Sequence, residues 1–171
     1  MADANRNAMN ASERDYQDSY LGQLRKLVGT RKLITPGARA VIQDKMGRVL
    51  FVKRKDNGKW VMPAGSLELD ESILACLKRE VREETGLEVV SATPIAIYSE
   101  PRFAFTNAFG GEHQMLAIVF RVDDWSGSLL RSTDETTDAQ FIDLDRLPDT
   151  SDVYRETVQD LCAFDGRVIV K

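Results

Sequence analysis

Apolar residues recur along this chain with two different periods, and the alternation between them divides the sequence into elements. From Ser12 the period is helical: Tyr16, Tyr20, Leu24, Leu27 and Val28 fall on one face, and Ser12 with Asp15 three residues on resembles a helix start. The spacing predicts an amphipathic helix over about residues 12–29, closed near Gly29. Met1 to Ala11 are polar and Asn-rich, which predicts a frayed start. Ala38 to Gln43 and Val49 to Arg54 are short β-rich runs, joined by Asp44, Lys45, Met46 and Gly47 as a hairpin turn. Asp56, Asn57 and Gly58 mark a second turn. Glu71 to Thr85 lacks Pro and Gly, is rich in Leu, Glu, Lys and Arg, and precedes Gly86 at a C-cap position, so it reads as a helix. Strands follow near Ile95–Glu100, Met115–Val122 and Gln140–Leu144, with a loop around Phe109, Gly110 and Gly111. Asp152 to Ala163 reads as a last helix. Helices among hairpin-connected strands argue for a mixed α+β sandwich rather than a regular βαβ series.

Composition narrows the function more than the fold. A length of 171 residues suits one domain, and hydrophobic and charged contents of 43% and 29% are those of an ordinary globular protein. The net charge of −4 supplies no global positive field, so no nucleic-acid partner is expected and any phosphate must be held locally. No stretch approaches the roughly 20 apolar residues that span a bilayer, so no membrane partner is expected either. Two cysteines, Cys76 and Cys162, are too few for a disulfide framework, and a reducing cytoplasm fits best.

The helix at Glu71–Thr85 carries the candidate chemistry. At about 100° per residue, Ile73, Leu74, Leu77 and Val81 form one apolar stripe, with Glu80, Glu83 and Glu84 sharing an arc beside it. Like charges three and four apart on a helix cost about a few tenths of a kcal/mol per pair, so something positive is expected among them. Arg79 and Arg82 on a solvated face are one answer. A hard dication is the other, because Mg2+ takes oxygen ligands and is commonly shared between carboxylates and substrate phosphates.

The surrounding sequence favours the second. Gly65, Glu71, Arg79, Glu80, Val81, Glu83, Glu84, Gly86 and Leu87 match Gly-x5-Glu-x7-Arg-Glu-aliphatic-x-Glu-Glu-x-Gly-aliphatic at every fixed position. This segment resembles the box of the Nudix hydrolases. The likeness extends through Trp60–Gly65 before the box and Phe141–Leu144 with Leu147 and Pro148 near the end. It implies a Nudix-type α/β/α sandwich with a mixed sheet over residues 36–171, preceded by an N-terminal extension over residues 1–35 that carries the first helix.

By that resemblance, Glu80, Glu83 and Glu84 bind Mg2+, with Mn2+ as an alternative. Glu80 and Glu83 also serve the chemistry, with Arg79 orienting a glutamate. Glu135 matches a loop acid used as base in many members, although acids before a strand also make solvated turns. The substrate implied is a small nucleotide cut at its pyrophosphate bond. Pro63-Ala64-Gly65 and Pro101 resemble members acting on ADP-ribose-like substrates; hydrolysis of nucleoside triphosphates, including oxidised ones, and a non-catalytic nucleotide sensor are the alternatives. Gly65 is read as freeing the loop backbone, and Gly86 as the helix cap. Phe103 and Phe105 are candidates to stack on a base, against the simpler reading of strand packing. His113 is a candidate contact to phosphate or base, against that of a surface residue. Homodimers are common in the family, and the apolar stripe of the first helix must bury against the domain or a second subunit.

Overall fold

The computed structural model describes residues 16–107 and 110–171. Among these residues three longer helices, α1 (Tyr20–Val28), α2 (Ile73–Thr85) and α3 (Asp152–Ala163), accompany nine strands. Strands β1 (Leu33–Ile42), β4 (Ala64–Ser66), β5 (Leu87–Tyr98), β6 (Phe105–Thr106), β7 (Glu112–Gly127) and β9 (Ile169–Val170) form one sheet; β2 (Val49–Arg54), β3 (Trp60–Val61) and β8 (Thr136–Ile142) form the other. The larger sheet is mixed. β1 runs parallel to β7 from Leu33↔His113 to Ile42↔Val122, whereas β4 pairs antiparallel with β1 and β5 with β7. The architecture is α+β, as the element pattern predicts.

Two apolar clusters build the layers. On one side Cys76, Leu77 and Val81 of α2 pack with Ala38, Ala40 and Ile42 of β1, Leu50 and Val52 of β2, and Phe120 and Val122 of β7. On the other, Val158 of α3 joins Val41, Phe51, Met62, Ile95, Tyr98 and Val119. Alternate residues of β1 thus enter opposite clusters, as the period of two along a strand requires. Within α2, Leu77 and Val81 are buried as the stripe predicts, but Leu74 is 41% exposed and Cys76 takes its place inside.

The expected hairpin is half right. The turn forms, with Gly47 at φ 78°, but β1 and β2 share only the bridge Gln43↔Val49 before diverging into different sheets. The first helix also differs. The part expected over residues 12–15 lies outside the described residues. Ser19 is extended (φ −62°, ψ 157°) and caps α1 by accepting from the Gly22 N–H. The buried face also differs from the predicted stripe: Leu21, outside that stripe, is buried, and Leu27, within it, is 85% exposed. Among the described residues no helix is long and apolar enough to cross a membrane.

Candidate active site

Strand β4 lies along α2, and its backbone decides where the helix glutamates point. Gly65 does not have the positive φ expected of it. It is needed for space, because a Cβ at residue 65 would fall inside the Glu80 carboxylate. One turn further, Glu84 Oε2 accepts from the Ala64 N–H at 3.0 Å. Both side chains are therefore buried, whereas Glu83 turns outward with its side chain 41% exposed. The helix ends as expected, with Gly86 left-handed at φ 72° and its N–H bonded to the Arg82 carbonyl.

Arg79 organises the acids. Glu71 does not lie in the helix: Ser72 is the N-cap, accepting from the Ala75 N–H at 3.1 Å, and Glu71 stands just before it. Its two carboxylate oxygens accept from Arg79 Nε at 2.9 Å and Nη2 at 3.0 Å, a fork that aims the guanidinium. Nη1 then reaches Glu80 Oε1 at 2.7 Å and Glu83 Oε2 at 3.2 Å, while Nη2 also donates to the Ser66 carbonyl at 3.0 Å. The Arg79 pairing accordingly holds the Glu71 carboxyl below its ordinary range.

Acidic groups outnumber cations in the buried part of the site, where Glu71, Glu80 and Glu84 face Arg79 and Arg54. Burial pushes Glu80 up to about 7 against the opposing pull of Arg79, with Glu135 and Glu83 adding to the rise. Burial likewise pushes Glu84 well above the usual carboxylate range, and Glu80 and Glu135 add to it while Arg54 opposes. Glu135, the residue before β8, contributes to the rise at both carboxyls. Arg54, at the end of β2, completes the group with Nη1 3.8 Å from Glu84 Oε1 and a second tie to Asp56. No helical projection of α2 contains Arg54, which arrives through sheet pairing.

Among the described residues no three acidic, His or Cys side chains converge as a metal-ligand group. The donor chemistry nevertheless fits a hard dication: Glu80 and Glu84 are buried oxygen donors that repel one another and lean on cations for relief, and Glu83 flanks them. A bound cation would offset the repulsion that Arg79 and Arg54 offset only in part.

The sequence profile of the NUDIX domain matches residues 33–161. The chain belongs to the Nudix hydrolase family. A MutT-like protein from Streptomyces ambofaciens is 34% identical over 127 residues, 74% of each chain. An ADP-ribose pyrophosphatase from Methanocaldococcus jannaschii is 30% identical over 122 residues, 70% of this chain and 68% of that one. The crystal structure of MutT protein from Methanosarcina mazei Go1 superposes with a TM-score of 0.63 at 23% identity, covering 80% of this chain and 99% of that one, and shares the fold.

Outside the box, this Nudix hydrolase departs from the residue-level expectations. Phe103 is a core residue, not an exposed stacking face: it lies in the short 3-10 turn Pro101–Phe103, buried against Tyr98 with ring centroids 4.7 Å apart. Phe105 is 47% exposed, with its ring stacked on His113 at 4.8 Å. His113 is buried at the start of β7 rather than on the surface, with Nδ1 3.1 Å from Thr35 Oγ1 and Nε2 3.2 Å from an Arg25 nitrogen. Burial, with the Arg25 cation, holds its pKa down. These contacts join the aromatic group to β1 and α1, not to the acids of α2.

Proposed function

We propose that this Nudix hydrolase is a Mg2+-dependent enzyme that cuts the pyrophosphate bond of nucleoside diphosphate derivatives, with ADP-ribose and nucleotide sugars as the favoured class. The buried carboxylate pair Glu80 and Glu84, backed by Gly65 and Ala64 and flanked by Glu83, is the observation that carries it. The likeness to the ADP-ribose pyrophosphatase of Methanocaldococcus jannaschii and the Pro63-Ala64-Gly65 lead-in support the substrate class.

In this reading Glu80, Glu83 and Glu84 hold the cation. When bound, Mg2+ neutralises charge on the bridging phosphate oxygens and makes a bound water more acidic. The protein supplies orientation and proton traffic. Arg79 fixes Glu80 by its Oε1, Ala64 fixes Glu84 by its Oε2, and Glu135 accepts the proton of the attacking water. Arg54, which lies against Glu84, offers a guanidinium to a phosphate oxygen.

The test is turnover of ADP-ribose, nucleotide sugars, dinucleoside polyphosphates, NADH and nucleoside triphosphates with Mg2+, followed by phosphorus NMR of the products. Two phosphorylated products from a diphosphate substrate are expected. Turnover of triphosphates alone would overturn the substrate class, and turnover of none would overturn the enzyme reading.

A further inference from the structure

A line of hydrogen bonds joins α1 to the acids of α2 through the loop between β4 and α2. The Tyr20 N–H, the first of α1, donates to Glu68 Oε2 at 2.7 Å across 48 positions of sequence. The Glu68 N–H in turn donates to Glu71 Oε2 at 3.1 Å, and Glu71 is the carboxylate that aims Arg79 at Glu80 and Glu83. Between them Asp70 is the one described non-glycine residue with positive φ, at 60°. Such a conformation persists where neighbouring contacts hold it, and here Glu68 and Glu71 flank it.

The seating of α1 is polar at its ends and thin beneath. At the far end the Arg25 guanidinium donates to the carbonyls of Gly29, Arg31 and Glu112. Between the two anchors, Tyr20, Leu21 and Leu24 roof a cavity of about 110 Å3 over Thr35, Ser66 and Leu67. A helix packed for apolar burial alone would close that space. The Glu68 carboxylate gives α1 what its first turn lacks, an acid at the positive end of the helix dipole.

We propose that α1 is a brace on the loop before α2, and that Glu68 is a positioning residue that couples the seating of α1 to the aim of Arg79. The inference rests on the hydrolytic reading above for its kinetic arm only.

Tyr20→Pro tests it with one atom group. Proline is tolerated at the first helical position and Ser19 already has the extended backbone that precedes proline, so the substitution removes the N–H and keeps the helix. Tyr20→Ala is the control that loses the ring but keeps the donor. Relative to Tyr20→Ala, we expect Tyr20→Pro to lower kcat about three- to tenfold with KM little changed, and to speed amide exchange over residues 67–71 by a similar factor. Glu68→Ala should match it, Glu68→Gln should recover most of the rate, and Tyr20→Pro with Glu68→Ala should be no worse than either alone. Equal rates and equal exchange in Tyr20→Pro and Tyr20→Ala would overturn the brace, as would effects that multiply in the double variant. If the wild type turns over no substrate, the proposed function fails, and the exchange measurement decides the brace by itself.

Discussion

The Glu80 carboxylate occupies the space that a side chain on Gly65 would fill. The box glycine and the box glutamate are thus one structural unit: fifteen positions apart in sequence, they meet because β4 lies flat on α2. Gly65→Ala should push Glu80 out of its place or move β4, costing roughly 1–3 kcal/mol of stability as overpacking does. The rate should fall about 10- to 100-fold, because Glu80 no longer meets Arg79 in the same geometry. Thermal melting and kcat measured together check this, and an unchanged rate would show that the position of Glu80 is immaterial.

Arg79 should not be replaceable by lysine. Its two edges do different work, one forking onto Glu71 and the other reaching Glu80 and Glu83, and an ammonium cannot span both. Arg79→Lys keeps the charge, so simple charge balance predicts little loss. The fork predicts a fall in kcat of about tenfold or more, with KM changed less. Steady-state kinetics separates the two.

The contrast between these residues shows what the sequence could reveal. Period and motif locate α2, α3, the turn at Gly47 and the box acids, because each depends on neighbours within about a turn of chain. They do not reveal that Glu84 is buried and Glu83 exposed, because that depends on how β4 packs on the helix. Arg54 and the seating of Glu135 come from the pairing of β2 with β8. His113 is hidden from the sequence for the same reason: a histidine beside glycines reads as surface, yet the parallel pairing of Leu33 with His113 carries it to the end of β1, where Thr35 and Arg25 enclose it.

Glu84→Gln should separate stability from activity. The carboxylate is 1% exposed, and burial acts against its charge, so a neutral isostere that still accepts from Ala64 removes a cost of folding. The melting temperature should rise or hold, while kcat falls on the order of a hundredfold because a proposed cation ligand is lost. Retention of the full rate would remove Glu84 from the metal site.

The last prediction follows from the sign of the Glu80 shift. Its carboxyl is raised from the ordinary 4.5 to about 7 in the folded protein. Below the ordinary value both folded and unfolded chains hold the proton, and Glu80 contributes no pH dependence. Between the two values the unfolded chain has released its proton and the folded one has not, so stability falls as pH rises, by up to about 1.4 kcal/mol per pH unit. Above about 7 the full loss, roughly 3 kcal/mol at most, is in place. The lowered carboxyls of Glu71 and Glu156 act in the opposite sense and at more acid pH, where their stabilisation disappears as they are protonated. The difference between wild type and Glu80→Gln isolates Glu80. Urea melts in the presence of a chelator should show wild type losing ground to Glu80→Gln as pH rises from 5 to 8. Excess Mg2+ should reverse the loss at the alkaline end more than at the acid end, since a ligand that binds only the folded, ionised site stabilises it by mass action. A difference that stays flat across this range, with or without Mg2+, would mean that Glu80 is ionised throughout and that burial does not govern its charge.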